Sequence, residues 1–247
     1  MLLKRRIRHV AKRIVAIGMD EYNEHVIHFK KCLGFVGENG IEGDILEFGV
    51  GGGETLLILE RLADDLLKQK QNMSYRLFGF DSFQGLPEPK GIDRDAHVDP
   101  ASPGAKFTRG MYKHTRATVS NKLRREAVNA DDIQLVEGWY EEVLTSSLRE
   151  QLLIERASLI NIDCDFYESA AVVLEWCEPI IGQGTVISFD DWFCYKGRPD
   201  HGEQHAFHEF LDNNPDVTAV LFSTYSWHGK AFIINRSGDP ARTPEGA

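Results

Sequence analysis

Acidic side chains recur at the ends of the predicted parallel strands of this 247-residue chain. They are Glu47, Asp81, Glu137, Asp163, Asp190 and Asp191. Ligands of open α/β sheets bind outside the carboxyl ends of the strands, so this placement predicts one shared binding edge. Turns favour aspartate, and one acid at one strand end would mean little. Acids at five successive strand ends are harder to explain by turn chemistry alone.

Asp163, Asp190 and Asp191 follow two strands that a single predicted helix connects. A right-handed crossover places such strands side by side, about 5 Å apart. Carboxylates that close repel one another unless a cation lies among them, and Mg²⁺ prefers oxygen ligands. We therefore predict a Mg²⁺ site in which Asp163 is both a ligand and the base that deprotonates a hydroxyl. The alternative is that these aspartates only cap turns.

Two local features qualify this metal site. Adjacent strand residues face opposite sides of a sheet, so Asp190 and Asp191 can both be ligands only if the strand has already turned. Asp165, two positions after Asp163, is predicted instead to cap the helix that begins near Tyr167.

The glycine-rich segment Gly49-Val-Gly51-Gly-Gly53 follows a predicted strand and precedes a helix. Glycines there permit a tight turn and close approach of a ligand to the backbone. Glu54 stands where a dinucleotide-binding fold has its third glycine, and a carboxylate there opposes a pyrophosphate. S-adenosylmethionine, with a sulfonium, an ammonium group and a ribose diol, fits acidic partners better. We predict that Asp81 binds the ribose hydroxyls and that Glu47 orients the glycine loop towards the methionine end.

Aromatic and histidine residues supply weaker candidates. Trp139, which follows Gly138 after the third strand, is predicted to stack on adenine, with burial in the core as the alternative. His201 or His205 is the second choice of base. Trp192 and Tyr195 are predicted to line the acceptor site.

Alternating strands and helices predict an α/β fold with a mainly parallel sheet, to which a C-terminal hairpin adds one antiparallel strand. We divide the chain into an N-terminal helical appendage, residues 1–40, and one domain, residues 41–247. The predicted elements are strands over 44–48, 75–80, 133–136, 157–162, 185–189, 217–224 and 230–234, and helices over 22–38, 54–67, 112–128, 167–180 and 204–211.

The composition narrows the partners. A formal net charge of −10 repels phosphate backbones, which argues against nucleic acid. Four cysteines without a CxxC pair, and the lack of a secretory signal, indicate reduced thiols and a cytoplasmic protein. Apolar residues between Leu3 and Ile17 recur at helical spacing among basic ones. That helix is predicted to pack on its own domain or on a second subunit in a homo-oligomer; contact with a membrane surface is the weaker alternative.

Four segments together resemble the macrocin O-methyltransferase family: EFGVGGGET (47–55), FDSFQGLP (80–87), IDCDFYES (162–169) and ISFDDW (187–192). The resemblance implies a class I, Rossmann-like methyltransferase fold with a seven-stranded sheet. It also implies S-adenosylmethionine-dependent, Mg²⁺-assisted methylation of a hydroxyl on a sugar or glycosylated natural product.

The same resemblance assigns individual residues. By it, Asp163, Asp190 and Asp191 match the metal-binding acids, Asp163 the base, and residues 84–110 a mobile lid over the substrate. The matching cofactor positions are Glu47, Gly49, Asp81 and Ser82. Cys164 departs from the glycine common at that position in the family.

Two other functions are alternatives to methylation of a sugar. A catechol or phenol acceptor would use the same metal chemistry as a sugar diol. An NAD-dependent dehydrogenase of related fold would need a Tyr-x-x-x-Lys pair, and none of the seven tyrosines is followed by lysine at that spacing.

Overall fold

The chain folds around a seven-stranded sheet with the order β3-β2-β1-β4-β5-β7-β6. This computed structural model describes residues 22–96 and 107–238. The strands are β1 (Asp44–Phe48), β2 (Leu77–Asp81), β3 (Ile133–Glu137), β4 (Ala157–Ile162), β5 (Ile181–Phe189), β6 (Val217–Tyr225) and β7 (Gly229–Arg236). Strands β1 to β5 pair in parallel, whereas β7 is antiparallel to both β5 and β6. The predicted α/β fold with one antiparallel strand is confirmed.

Helices connect the parallel strands. They are α1 (22–38), α2 (Glu54–Ala63), α3 (Gly91–Ala96), α4 (Arg116–Glu126), α5 (Tyr140–Val143), α6 (Ser146–Leu152), α7 (Tyr167–Cys177) and α8 (Gly202–Asn213). Every residue of β1 and of β4 is buried, as expected for central parallel strands with helices on both faces. The predicted bounds of both strands are confirmed, although each strand carries buried polar residues, Asp44 and Glu47 in β1 and Ser158 and Asn161 in β4.

Several predicted bounds were wrong for local reasons. Strand β5 was predicted over residues 185–189, but it starts at Ile181 and includes Gly182 and Gly184. Helix α2 continues as a π-helical turn, Asp64–Gln69. Helix α4 begins only after Thr115, whose side chain accepts a hydrogen bond from the Thr118 amide. The short helices α5 and α6 were not predicted.

Helix α1 packs into the core that the sheet forms. Four of its apolar residues are fully buried, and they belong to the same hydrophobic cluster as residues of β1, β2 and α2. They are Phe29, Cys32, Leu33 and Val36. The division at residue 40 stays a prediction about folding units.

The other predicted features of the chain ends and surface have mixed outcomes. The basic N-terminal helix around Leu3 to Ile17 lies outside the described residues, as does part of the predicted lid, residues 97–106. Within the described ranges, no helix combines the length and apolar character needed to cross a membrane. All four cysteines are free thiols and buried.

Candidate active site

A cavity of about 600 Å³ opens at the carboxyl edge of the parallel strands. Most of the residues that the sequence singled out lie on its wall. They are Gly49, Gly51, Asp81, Ser82, Gly138, Trp139, Asp163, Asp190 and Asp191. The predicted cofactor residues and the predicted metal-binding acids therefore share one cavity, with Glu47 as the exception.

The strand register sets these residues side by side. Phe48 pairs with Ile162, and Ile162 pairs with Phe189, so the residues after them leave the sheet at the same level. The Asp163 amide donates to the Phe48 carbonyl at 2.8 Å, and the Asp190 amide donates to the Ile162 carbonyl at 3.0 Å. Backbone hydrogen bonds thus continue past the strand ends and hold the acids at the rim.

Gly49 lies directly against the backbone of Asp163. A Cβ atom on Gly49 would lie 1.6 Å from the Asp163 carbonyl oxygen, and its φ of +97° also disfavours other residues. Glycine at position 49 therefore permits the close contact between the glycine loop and the backbone of Asp163.

Asp81 binds the glycine loop itself. Its Oδ2 accepts hydrogen bonds from the amides of Val50 and Gly51, at 2.9 and 3.0 Å, and its Oδ1 accepts from the Phe83 amide at 2.6 Å. The sequence assigned the orientation of this loop to Glu47, but the structure places Asp81 in that position. Asp81 also lies on the cavity wall, where a ribose diol can reach it.

Glu47 is not among the residues that line the cavity. It is fully buried, and Asn161 Nδ2 on the neighbouring strand donates to its Oε1 at 3.3 Å. Burial raises the pKa of Glu47 well above its ordinary value. The contact of Glu47 with the methionine end stays a prediction.

Glu47 belongs to a buried row of polar side chains that crosses three strands. Glu47 pairs in register with Asn161, and Asn161 pairs with Ser188. Ser188 Oγ lies 2.9 Å from Nε2 of His28, which comes from α1. All four side chains are buried, so this polar row joins β1, β4, β5 and α1 inside the molecule.

Asp163, Asp190 and Asp191 converge as predicted. One carboxylate oxygen from each lies within 4.8 Å of the others. Strand β5 ends at Phe189, so Asp190 and Asp191 both follow the strand and can turn to the same side. Burial, followed by the charges of Asp190 and Asp191, raises the pKa of Asp163 well above its ordinary value. Burial and Asp190 also raise the pKa of Asp191, to about 6.

Asp190 differs from its two neighbours because donors surround it. His25 Nε2 and the Tyr225 hydroxyl donate to its Oδ1 at 3.1 and 2.8 Å, and His228 Nδ1 donates to its backbone carbonyl at 2.6 Å. Burial opposes ionisation of Asp190, but the hydrogen bond from His25 and the charge of His228 outweigh it and lower its pKa. Sequence reasoning missed these residues, since nothing local links them to Asp190.

Glu203, at the start of α8, is a second residue that sequence reasoning missed. Its carboxylate accepts from the amides of Cys164 and Asp191, at 3.2 and 2.9 Å, and so ties the ends of β4 and β5 together. The Cys194 thiol donates to Asp191 Oδ1 at 2.9 Å. These contacts fix the backbone that carries Asp191.

The predicted capping role of Asp165 was wrong. The amide of Tyr167, at the start of α7, donates to Asp93 Oδ2 at 2.5 Å, and Phe166 at the N-cap makes no side-chain cap. Asp165 has a positive φ of 63°, is buried and lines the cavity, so it is a fourth carboxylate beside the three predicted metal ligands.

The remaining candidates lie elsewhere. His201 and His205 line a separate depression with Arg198 and Asp200 and are not on the wall of the main cavity. Trp192 and Tyr195 are only 3% exposed and pack in the core, so they do not form the acceptor site that the sequence predicted. The exposed aromatic residues on the cavity wall are Tyr112 (58%) and Trp227 (63%).

A scan against family models matches residues 10–223 to the macrocin O-methyltransferase (TylF) model. The chain belongs to the macrocin O-methyltransferase family. Membership of this family excludes the alternative of an NAD-dependent dehydrogenase. It agrees with the resemblance of the four sequence segments.

Two curated relatives are O-methyltransferases, and the name of the first includes a rhamnosyl group. The 8-demethyl-8-(2,3-dimethoxy-α-L-rhamnosyl)-tetracenomycin-C 4'-O-methyltransferase of Streptomyces olivaceus is 24% identical over 65% of this chain and 57% of its own length. The mycinamicin III 3''-O-methyltransferase of Micromonospora griseorubida is 25% identical over 80% of this chain and 70% of its own. The chain thus spans 57% to 70% of the length of these relatives.

Among solved structures, the O-methyltransferase NovP has the same fold. It superposes with a TM-score of 0.66 at 18% identity, covering 86% of this chain and 80% of NovP. The class I methyltransferase fold that the resemblance implied is confirmed.

Proposed function

We propose that this chain transfers a methyl group from S-adenosylmethionine to a hydroxyl of a sugar or glycosylated small molecule, with the help of Mg²⁺. The observation that carries the proposal is the single cavity that joins the Gly49–Gly53 loop to the cluster of Asp163, Asp190 and Asp191. The name of the first relative, an O-methyltransferase of a rhamnosyl-tetracenomycin, supports the sugar acceptor.

The cofactor half of the proposal rests on the residues around the glycine loop. Asp81 can bind the ribose hydroxyls from the position where it already accepts hydrogen bonds from the loop amides. Trp139, after Gly138, lies on the cavity wall at the end of β3 and is our candidate to stack on adenine. Ser82 and Gly51 also line this side of the cavity. Glu47 accepts a hydrogen bond from Asn161 and so links β1 to β4.

The acid cluster fits a hard divalent cation. Three carboxylates within 4.8 Å, two of which have raised pKa values, are a donor set whose repulsion a cation relieves. Asp163, Asp190 and Asp191 would hold Mg²⁺. When bound, the metal lowers the pKa of an acceptor hydroxyl and orients it.

Asp163 is our candidate for the base. It would take the hydroxyl proton while the oxygen attacks the methyl carbon and the bond from that carbon to sulfur breaks, which releases S-adenosylhomocysteine. Asp165 lies in the same cavity and is buried.

The direct test is methyl transfer by the purified chain, followed by mass spectrometry of the acceptor. Labelled S-adenosylmethionine would be supplied with rhamnosylated and other deoxysugar glycosides, and with catechols as the alternative class. We expect a methylated glycoside in Mg²⁺, loss of turnover in EDTA and recovery when Mg²⁺ is restored. Full activity in EDTA would show that the reaction does not need Mg²⁺. Methylation of catechols alone would reject a sugar as the acceptor.

A further inference from the structure

Two donors from opposite ends of the described chain converge on one oxygen of Asp190. His25 Nε2, on α1, and the Tyr225 hydroxyl, at the end of β6, both donate to Asp190 Oδ1, at 3.1 and 2.8 Å. His228, in the β6–β7 turn, binds the backbone carbonyl of the same aspartate at 2.6 Å. The side chain and the backbone of Asp190 are therefore both held by residues outside β5.

We propose that His25 and Tyr225 are positioning residues that hold Asp190 Oδ1 and thereby fix the orientation in which Asp190 meets the metal. A carboxylate with one oxygen held by two donors presents its other oxygen in a defined direction. Outer donors of this kind orient metal ligands, and their loss weakens metal binding. The inference rests on the metal site of the proposed function.

Tyr225 is itself held firmly. Its side chain is buried, and its ring stacks on that of His28 with 3.8 Å between centroids. His28 lies 2.9 Å from Ser188 Oγ on β5 and 3.2 Å from Ser223 Oγ on β6. The Tyr225 ring, whose hydroxyl donates to Asp190, is therefore fixed by packing against α1, which in turn contacts β5 and β6.

His25 is positioned by the same packing. Its ring meets Tyr225 edge-on, with 5.5 Å between centroids, and it lies one helical turn before the buried Phe29. The alternative is that both hydrogen bonds only stabilise the packing of the sheet and α1. In that case, removing either donor would lower stability but would not change the metal affinity of the folded protein.

The experiment compares four variants by Mn²⁺ binding, measured by electron paramagnetic resonance without cofactor or acceptor. Tyr225→Phe and His25→Ala remove the two donors, and His25→Gln keeps an N–H donor near the position of Nε2. The matched control is Tyr75→Phe, which removes a buried tyrosine hydroxyl that donates to the Glu60 carbonyl. Calorimetry with S-adenosylhomocysteine reports whether each variant keeps the folded cofactor half.

We expect Tyr225→Phe and His25→Ala to weaken Mn²⁺ binding about 10-fold or more. His25→Gln should recover much of the loss, Tyr75→Phe should match wild type, and all four should bind S-adenosylhomocysteine normally. Wild-type Mn²⁺ affinity in both donor deletions would overturn the positioning role while leaving the proposed function in place. Failure of the wild-type chain to bind Mn²⁺ would instead reject the metal site and this inference together.

Discussion

Asp163 and Asp165 are two positions apart, both line the cavity and both are buried enough for burial to raise their pKa values. Only Asp163 belongs to the group whose oxygens lie within 4.8 Å of one another. The chemistry at residue scale therefore turns on which of the two aspartates removes the proton. Substitution by asparagine separates them, because asparagine keeps the shape and removes the charge.

Asp163→Asn should lower turnover by about 10²- to 10⁴-fold, the range of general base catalysis, with further loss from weaker metal binding. Binding of S-adenosylhomocysteine should persist. Turnover would be measured with labelled cofactor at saturating Mg²⁺, with Asp216→Asn as the control, since Asp216 pairs with Arg236 and is not on the cavity wall. Near-wild-type turnover in Asp163→Asn, with loss in Asp165→Asn, would move the base to Asp165.

Trp227 offers an exposed aromatic face on the cavity wall, which suits stacking on a sugar ring. Trp227→Ala should raise KM for the acceptor about 3- to 10-fold and leave KM for S-adenosylmethionine unchanged, whereas Trp227→Phe should stay close to wild type. Steady-state kinetics measures both constants. Leu153→Ala is the control, because Leu153 is similarly exposed but is not on the cavity wall. Equal acceptor KM in all variants would exclude the stacking contact.

The sequence identified the site residues that directly follow strands, because the carboxyl ends of predicted parallel strands lie at the binding edge of the sheet. It did not identify partners that only tertiary packing supplies: His25 is 165 positions from Asp190, and Asp93 caps α7 from 74 positions away. The hydrogen bond between Glu47 and Asn161 was not predicted, because Asn161 lies on a strand that is distant along the chain.

At the scale of elements, the ends of β1 and β4 meet where Gly49 touches the backbone of Asp163. Strand bounds were predicted well for the central strands β1 and β4, in which every residue is buried. They were predicted poorly where a local rule misled, as with the glycines inside β5. Strand β5 pairs with β4 at Ile181 and again from Val186 onwards, with an irregularity between, and Gly184 has a positive φ of 87°, so these glycines lie at a bulge inside the strand rather than before it.

Gly49→Ala should destabilise the fold by more than Gly51→Ala. Both positions have positive φ, which costs alanine roughly 1–2 kcal/mol. At Gly49 the new methyl group also collides with backbone, adding about 1–3 kcal/mol, whereas nothing lies within 4 Å of the corresponding position at Gly51. Denaturant unfolding measures the difference, and equal losses in the two variants would contradict the close approach.

At the scale of the whole molecule, α1 closes the core against the sheet, so the predicted boundary at residue 40 can be tested by stability. Phe29→Ala should lower the free energy of unfolding of the entire chain by about 3–5 kcal/mol, because Phe29 is fully buried. Ile27→Ala, on the exposed side of the same helix, should change it by about 0.5 kcal/mol or less. Denaturation would be followed by tryptophan fluorescence and by far-ultraviolet circular dichroism.

The four tryptophans lie outside α1, so a separate appendage would leave their transition unchanged in Phe29→Ala. We expect the fluorescence and dichroism transitions to shift together. A shift confined to dichroism would support an independent N-terminal unit.

The buried row of Glu47, Asn161, Ser188 and His28 has a consequence for how the chain avoids misfolding. If β4 slipped by one residue against β1, an isoleucine would face Glu47, and Glu47 Oε1 would lose the hydrogen bond from Asn161 in a buried position. The alignment that keeps this hydrogen bond is also the one that brings Gly49, Asp163 and Asp190 to a common level. Strand misalignment is thus penalised deep in the interior, at a distance from the rim whose geometry depends on it.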